Sequence, residues 1–487
     1  MFPYMHRRNT IMRLRISRLI KIIAFLIPIF LFIHLLHFYH TKILGLSLRH
    51  TPLACPNSPL LNDVLVVVRT GATEVLQKLP IHFSTVLTCV PDYIIYSDLE
   101  EDVEGHHIVD VLDRISQDVK MNTPEFWLYN RLRASGRDRL EYRTSFGSGP
   151  AGALDNPGWK LDKWKFLPMV FRALEYRPDA KWFVFIEPDT YMFWHNMLQF
   201  LSRFDPNKPY YLGKHMYIGK VLFGHGGSGF MISNPAMKMV SKHWTENQNW
   251  FDDYTAKEWA GDMILGKAME NIGVQLISPS PYIQTDSLST LDWIINKHDK
   301  PPWCYAPLTF HHMTEHEFPI LWQSEHKWLR RNEGSTTLQL RDIFESIIKP
   351  RLHSQLADWD NQSRDAVYTN EAVAKLSDAD RAAVTQTERD AQISSEHCQA
   401  ACESKPSCMQ FFYIPGQCFL SNELRLGHAV ESQCVEYSHI KGKCVKMQDV
   451  EGLQAGYEKA SSVKSGWIMD RVWEASKEMD KACQSLR

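Results

Sequence analysis

The apolar positions of this chain fall into three successive patterns. The first is one long stretch, LIKIIAFLIPIFLFIHLLHFY at residues 19–39, which is apolar on nearly every side and long enough to cross a bilayer. Residues 40–61, with Pro52, Pro56 and Pro59, then read as a short stem. The second pattern starts at Asn62, where strand-like runs alternate with helical spacing. DVLVVVRTG reads as a strand and a turn, YIIYSD as a strand ending in an acid, and KWFVFI as a continuous apolar strand of the kind covered on both faces. Among these, VLQKLPIHFSTVL is mixed, and residues 133–158, rich in Gly, Ser, Arg and Asp, read as an exposed loop. LDKWKFLPMVFRALEYR carries apolar residues at helical intervals, with Pro168 restricting where its helix begins. This alternation predicts an α/β domain of nucleotide-binding type over residues 62–353. The third pattern is polar and helix-prone over 354–395, which reads as a linker. A short cysteine-rich module at 396–446 and a helical tail at 447–487 follow it.

Charge and cysteine usage assign a compartment to these segments. Arg7, Arg8, Arg13, Arg15, Arg18 and Lys21 cluster at the start of the long apolar stretch, whereas only Lys42 and Arg49 follow it closely. Positive charge stays cytosolic, so residues 1–18 are expected as a cytosolic tail, 19–39 as a type II anchor, and the remainder as lumenal. A cleaved signal peptide is the competing reading. His34 and His37 weaken the far end of the span, but no small-x-small cleavage site follows it. Six cysteines, Cys398, Cys402, Cys408, Cys418, Cys434 and Cys444, crowd one stretch without a CxxC pair, which argues for disulfides in an oxidising lumen over zinc. The sequon Asn361-Gln362-Ser363 marks Asn361 as a glycosylation candidate in that compartment. A net charge of −2 gives no sign of a nucleic-acid-binding surface. With 487 residues, one large domain and at least one smaller unit are expected.

The candidate chemistry begins at FVFIEPDTYMFW, residues 183–194, where two carboxylates stand at the end of a buried strand. Ligands of open α/β sheets gather just beyond the carboxyl ends of strands. Pro188 biases Glu187 toward extended geometry and has no amide hydrogen, so the strand is expected to stop there and Asp189 to project from a turn.

Five blocks in order, AKWFVFIEPDTYMFW, PYYLG, HGGSGFMIS, GDMILGKAMENIGV and LTFHHM, resemble the catalytic domain of glycosyltransferase family 31 over roughly residues 62–330. That family includes Fringe and the core 1 β-1,3-galactosyltransferases, and the likeness is to its fungal branch. The resemblance implies a GT-A fold, a UDP-sugar donor, Mn²⁺ with Mg²⁺ as an alternative, and inversion at the anomeric carbon. It implies that Asp189 holds the metal, with Glu187 at the first acid of the motif and His311 as a further ligand beside its rival His312. Many relatives have Asp-Asp-Asp where this chain has Glu-Pro-Asp, which puts the role of Glu187 in question more than that of Asp189. Asp262 matches the acid expected to act as general base, although the residue type and place suit a helix N-cap equally. Arg69, Thr70, Asp98 and Lys165 are candidate donor contacts. Gly226, Gly227 and Gly229 are expected to let backbone approach the sugar. Trp159, Trp164, Trp250, Trp259, Trp303 and Trp322 offer either stacking faces or core.

HCQAACESKPSCMQFFYIPGQCFL resembles a PAN/apple module, which implies links Cys398–Cys418 and Cys402–Cys408 and leaves Cys434 and Cys444 as a further pair; spacing alone leaves the connectivity open. Such modules bind proteins or glycans, so acceptor docking and mere stabilisation are both open. Together these readings predict a Golgi or ER membrane-anchored, inverting hexosyltransferase of the N-acetylgalactosaminide β-1,3-galactosyltransferase type. Galactose is favoured over N-acetylglucosamine, and the acceptor is a glycan or glycoprotein hydroxyl. The alternatives are a non-catalytic lectin-like protein and, on the pattern HMTEH at 312–316, a zinc protease.

Overall fold

A computed structural model describes residues 55–137, 140, 156–295, 301–332, 336–377, 384–431, 434–438, 442–447 and 463–485. The expected tail, anchor and most of the stem lie outside the described residues, among which no helix is long and apolar enough to cross a membrane. The described residues form one compact unit.

The central sheet is built from β1 (Val64–Arg69), β2 (Tyr93–Ser97), β3 (Glu101–Val103), β4 (His106–Asp110), β5 (Trp182–Ile186), β7 (Tyr211–Gly213), β10 (Phe230–Ser233) and β11 (Leu276–Ile277). β6 (Tyr191–Met192) pairs outside it with β12 (Thr309–Phe310), and β8 (His215–Ile218) with β9 (Val221–Gly224). Strand order is β11-β7-β10-β5-β1-β2-β4-β3, with β5, β1, β2 and β4 parallel and β10 antiparallel to β5. The parallel centre explains the uninterrupted apolar runs, since side chains alternate in direction and both faces are covered. Val64, Val66 and Val68 pack into one core with Trp182, Val184 and Ile186, whereas Leu65 and Val67 join Phe183 and Phe185 in the core on the opposite face. The mixed segment after β1 forms two short helices, Val75–Lys78 and Pro80–Ser84. Pro168 sits in the first turn of the helix Phe166–Tyr176, where its missing N–H costs no hydrogen bond.

Residues 354–395 are not a tether. Leu356–Ala357 and Ala366–Thr369 are the edge strands of a five-stranded antiparallel sheet completed by Lys464–Trp467, Gln410–Ile414 and Gln417–Ser421. Their short alternations are drowned in polar composition and become strands only because long-range partners exist. The helix Ser395–Glu403 packs on this sheet through Cys398 and Cys402, which are joined to Cys418 and Cys408 at S–S distances of 2.02 and 2.06 Å. Cys444 is disulfide-bonded, while the side chain of Cys434 lies outside the described ones. Asn361 is fully buried: its amide donates to the carbonyls of Phe411 and Gly466 and its Oδ1 accepts from Ser363. The folded chain has no room for a glycan there, so that expectation is corrected; a sequon carries no information about burial.

The C-terminal region is continuous with the core of the central sheet. Met409, Leu424, Leu426, Trp467, Val472 and Met479 share the hydrophobic cluster of β1 and β5. Two further disulfides, Cys55–Cys89 and Cys304–Cys483, were not foreseen; the second spans 179 residues and ties the terminal helix Met469–Ser485 to the segment before β12. Beside it, the Trp303 indole donates to Asp480 at 2.8 Å. Replacing Cys304 and Cys483 by serine is expected to lower unfolding free energy by about 2–4 kcal/mol, read as a lower guanidinium midpoint.

Candidate active site

The strand β5 ends at Ile186, and Glu187 to Thr190 turn away from the sheet. Thr190 organises this turn: its hydroxyl accepts from the Glu187 amide at 3.1 Å and donates to the Gly227 carbonyl at 2.7 Å. From the other side, Thr309 donates to the Ser228 carbonyl at 2.6 Å. The glycine loop is therefore pinned between β5 and β12, and Gly229, at φ +79°, takes a left-handed conformation that favours glycine. The buried His82 ring holds Pro188 through its Nε2 and the Pro188 carbonyl, 2.8 Å apart. Burial pushes the His82 pKa down to about 4, so this imidazole is neutral and Nε2–H is the donor.

Asp189, His311 and His312 present one ligand atom each within 4.8 Å of one another. Asp189 Oδ1 lies 3.5 Å from His311 Nε2, and Asp189 Oδ2 lies 3.6 Å from Lys78 Nζ. Asp189 Oδ1 and His311 Nδ1 are both buried without a hydrogen-bond partner among the described residues, which fits a cluster left open for a cation. One carboxylate and two imidazoles are a donor set for Mn²⁺ and its neighbours in the first transition row. Burial opposes the charge on Asp189, yet His311 and Lys78 hold its carboxyl well below the usual range. Burial likewise opposes a charge on His311, and Asp189 more than offsets it. A Cβ on Gly227 would sit 2.2 Å from His311 Nε2, so only glycine lets this ring stand where it does. Gly227→Ala is expected to displace His311 and weaken Mn²⁺ binding about 10- to 100-fold, measured by calorimetry.

Glu187 is not in that cluster. It pairs with the buried Arg69 guanidinium, whose other nitrogen meets Asp162 at 2.7 Å and whose face lies over Phe166. Lys165, fully buried, reaches Asp162 at 2.7 Å, Asp98 at 3.5 Å and the Thr70 carbonyl at 2.8 Å. Asp98 in turn accepts from the Ala72 amide at 2.6 Å. Burial works against the charge on Asp162, but Lys165 and Arg69 outweigh it and lower its pKa. Arg69, Thr70, Asp98 and Lys165 are thus brought together as expected of one site, but as a buried network that braces the strand ends. Asp162, its central member, escaped the sequence reading because nothing local distinguishes it from a solvated acid on a helix.

Asp262 lies in the first turn of the helix Gly261–Asn271, whose cap position is Ala260. Its Oδ2 accepts from the Gly226 amide at 2.9 Å and its Oδ1 from the Met263 amide at 2.9 Å. Burial pushes its pKa up to about 6 against the pull of the Gly226 N–H, with Glu187 adding to the rise. Glycine at 226 is where the two acids converge: a Cβ there would lie 3.1 Å from Glu187 Oε1 and 3.4 Å from Asp262 Oδ2. The cluster of Asp189 with His311 and the carboxylate of Asp262 are therefore flanked by consecutive residues of one pinned loop.

The remaining candidates separate by exposure. Trp164 and Trp303 are core, Trp322 packs against His326, Trp250 stacks on Tyr254, and Trp159 and the exposed Trp259 stack on each other. The protease pattern lacks its geometry: His312 has φ +56°, His316 is exposed, and the next helix starts only at Glu317.

Among solved structures, a glycosyltransferase involved in the glycosylation of the major capsid of PBCV-1 is 14% identical, with a TM-score of 0.24; the alignment covers 53% of this chain and 98% of that one. The galactosyltransferase LgtC, in complex with donor and acceptor sugar analogs, is 10% identical with a TM-score of 0.29, covering 56% and 97%. Both likenesses are too low to bear on chemistry. The Fringe family, described as Fringe-like, matches residues 61–317, the span that carries the α/β sheet, the Glu-Pro-Asp turn, the glycine loop, Asp262 and His311. The PAN/apple assignment has no such support. By that match over more than half its length, the chain belongs to the Fringe-like family of glycosyltransferases.

Proposed function

We propose that this chain is an inverting β-1,3-glycosyltransferase. It moves a hexose, galactose by preference, from a UDP-sugar to a glycan or glycoprotein hydroxyl in the secretory lumen. The observation that carries the reading is the Gly226–Gly227 pair: the Gly226 amide donates to Asp262, and Gly227 lacks the side chain that would collide with His311.

Asp189 and His311, with His312, are the residues that would hold Mn²⁺, and a divalent cation there supplies charge neutralisation for the diphosphate and for the departing UDP. Asp262 takes the proton from the acceptor hydroxyl as its oxygen bonds to the anomeric carbon and the bond from that carbon to UDP breaks. The Gly226 N–H keeps the carboxylate oriented, and burial keeps it basic enough to work near neutral pH. Glu187, held by Arg69, adds negative charge behind Asp262 without contacting the cation cluster. Four disulfides located among the described residues suit an oxidising lumen.

Incubating the purified chain with a panel of UDP-sugars and simple glycan acceptors, with and without Mn²⁺, tests this reading. Metal-dependent release of UDP with inverted product is expected. Glycan binding indifferent to UDP and to metal would favour a lectin-like role instead.

A further inference from the structure

A cavity of about 660 Å³ opens beside the cation cluster, with Asp189 and His312 among its lining residues. Its walls come from parts of the chain far apart in sequence. Lys78 belongs to the α/β domain, whereas Gln362, Arg364 and Arg425 belong to the C-terminal region, whose sequence reads as a linker and a PAN/apple-like module. Arg364 is exposed and has no ion-pair partner among the described residues. Arg425 pairs with Glu423, but its Nε is buried and makes no hydrogen bond among the described residues. Asp286 and Glu315 also line the cavity, so it is a two-signed site with its cations supplied by Lys78 and the C-terminal wall.

Two features say what this wall is for. Among the described residues, the cations at the strand ends, Lys165 and Arg69, are buried and paired with protein carboxylates, which leaves neither of them free to meet a diphosphate. A guanidinium, with its planar fork of donors, suits phosphate oxygens better than any other side chain. The wall is also fixed in place, because Leu424 and Leu426, which flank Arg425, are buried in the core shared with β1 and β5. Donors held rigidly before binding lose little freedom when a ligand arrives.

We propose that the C-terminal region forms a working wall of the donor site, and that Arg364 and Arg425, together with Lys78, bind the diphosphate of the nucleotide sugar. This rests on the donor reading above and deepens it. The region is then part of the transferase itself rather than a separate binding module.

The test titrates UDP calorimetrically into the full chain at fixed Mn²⁺, for the wild type and for the Arg364→Ala/Arg425→Met pair. The expected result is a UDP Kd raised about 10-fold or more. The donor KM should rise in the same ratio, with acceptor KM and melting temperature unchanged. Arg364 is exposed, so if the paired variant fails to fold, Arg364→Glu alone carries the test with the same expected direction. An unchanged UDP Kd overturns the inference, as does a raised acceptor KM with unchanged UDP affinity, which would move the arginines to the acceptor. Wild-type chain that takes up no UDP overturns the donor reading and this one together. Wild-type uptake with variants of equal affinity overturns this one alone.

Discussion

Replacing Asp189 by alanine is expected to lower turnover by about 10³-fold, equivalent to about 4 kcal/mol of transition-state stabilisation, and to abolish Mn²⁺-dependent uptake of UDP. The expected effect is large because the carboxylate supplies the only negative charge in the cluster with His311 and His312. The fold should survive the change. Asp189 Oδ1 accepts no hydrogen bond, and the contact that anchors the turn at this residue is made by its carbonyl, which accepts from the Met313 amide at 2.9 Å and is untouched by the substitution. Lys78, losing one partner, keeps Glu74 at 2.9 Å. Calorimetry with UDP, a turnover assay and a melting curve on the same preparation separate the outcomes. Full metal-dependent activity in the variant would remove Asp189 from the site.

The second large effect is at Asp262. Asparagine keeps one oxygen that can accept from Gly226 and gives up only the bond from the adjacent Met263 amide, so Asp262→Asn should preserve the loop while removing the proton acceptor. A loss of about 10²- to 10⁴-fold in kcat is expected, with little change in UDP affinity. The pH dependence follows from the pKa of about 6. Only the ionised carboxylate accepts a proton, so kcat/KM should be level above about pH 6 and fall roughly tenfold per unit below it. A base with an ordinary carboxylate pKa would instead hold its activity to about pH 4. In the asparagine variant the residual activity should lose that limb. A wild-type profile that stays level down to pH 4.5 would show that Asp262 is not the base.

The two acids were legible in the sequence for different reasons. Asp189 follows a continuous apolar strand and a proline, and that local pattern already says where a buried strand ends and a turn exposes its side chain. Asp262 was placed by the order of its block among the others. Its local signal, an acid near a helix start, points to a cap, but besides the adjacent Met263 amide it accepts from Gly226, in a loop 36 residues away. Glu187 shows the reverse case. Its position suggested a metal contact, but the nearby guanidinium of Arg69 draws its carboxylate away from the cluster.

By itself, the sequence determined the α/β centre and the ends of its strands. Those features rest on the hydrophobic period of neighbouring residues, which is read over a few positions. Only the tertiary structure decided that Asp162 braces Arg69 and Lys165, that Asn361 is enclosed, that Cys304 meets Cys483 across 179 residues, and that the C-terminal region reaches the cavity beside Asp189. Each of these is a pairing of residues distant along the chain. Its energy comes from burial and charge matching that exist only once the chain is closed, so no local pattern records it.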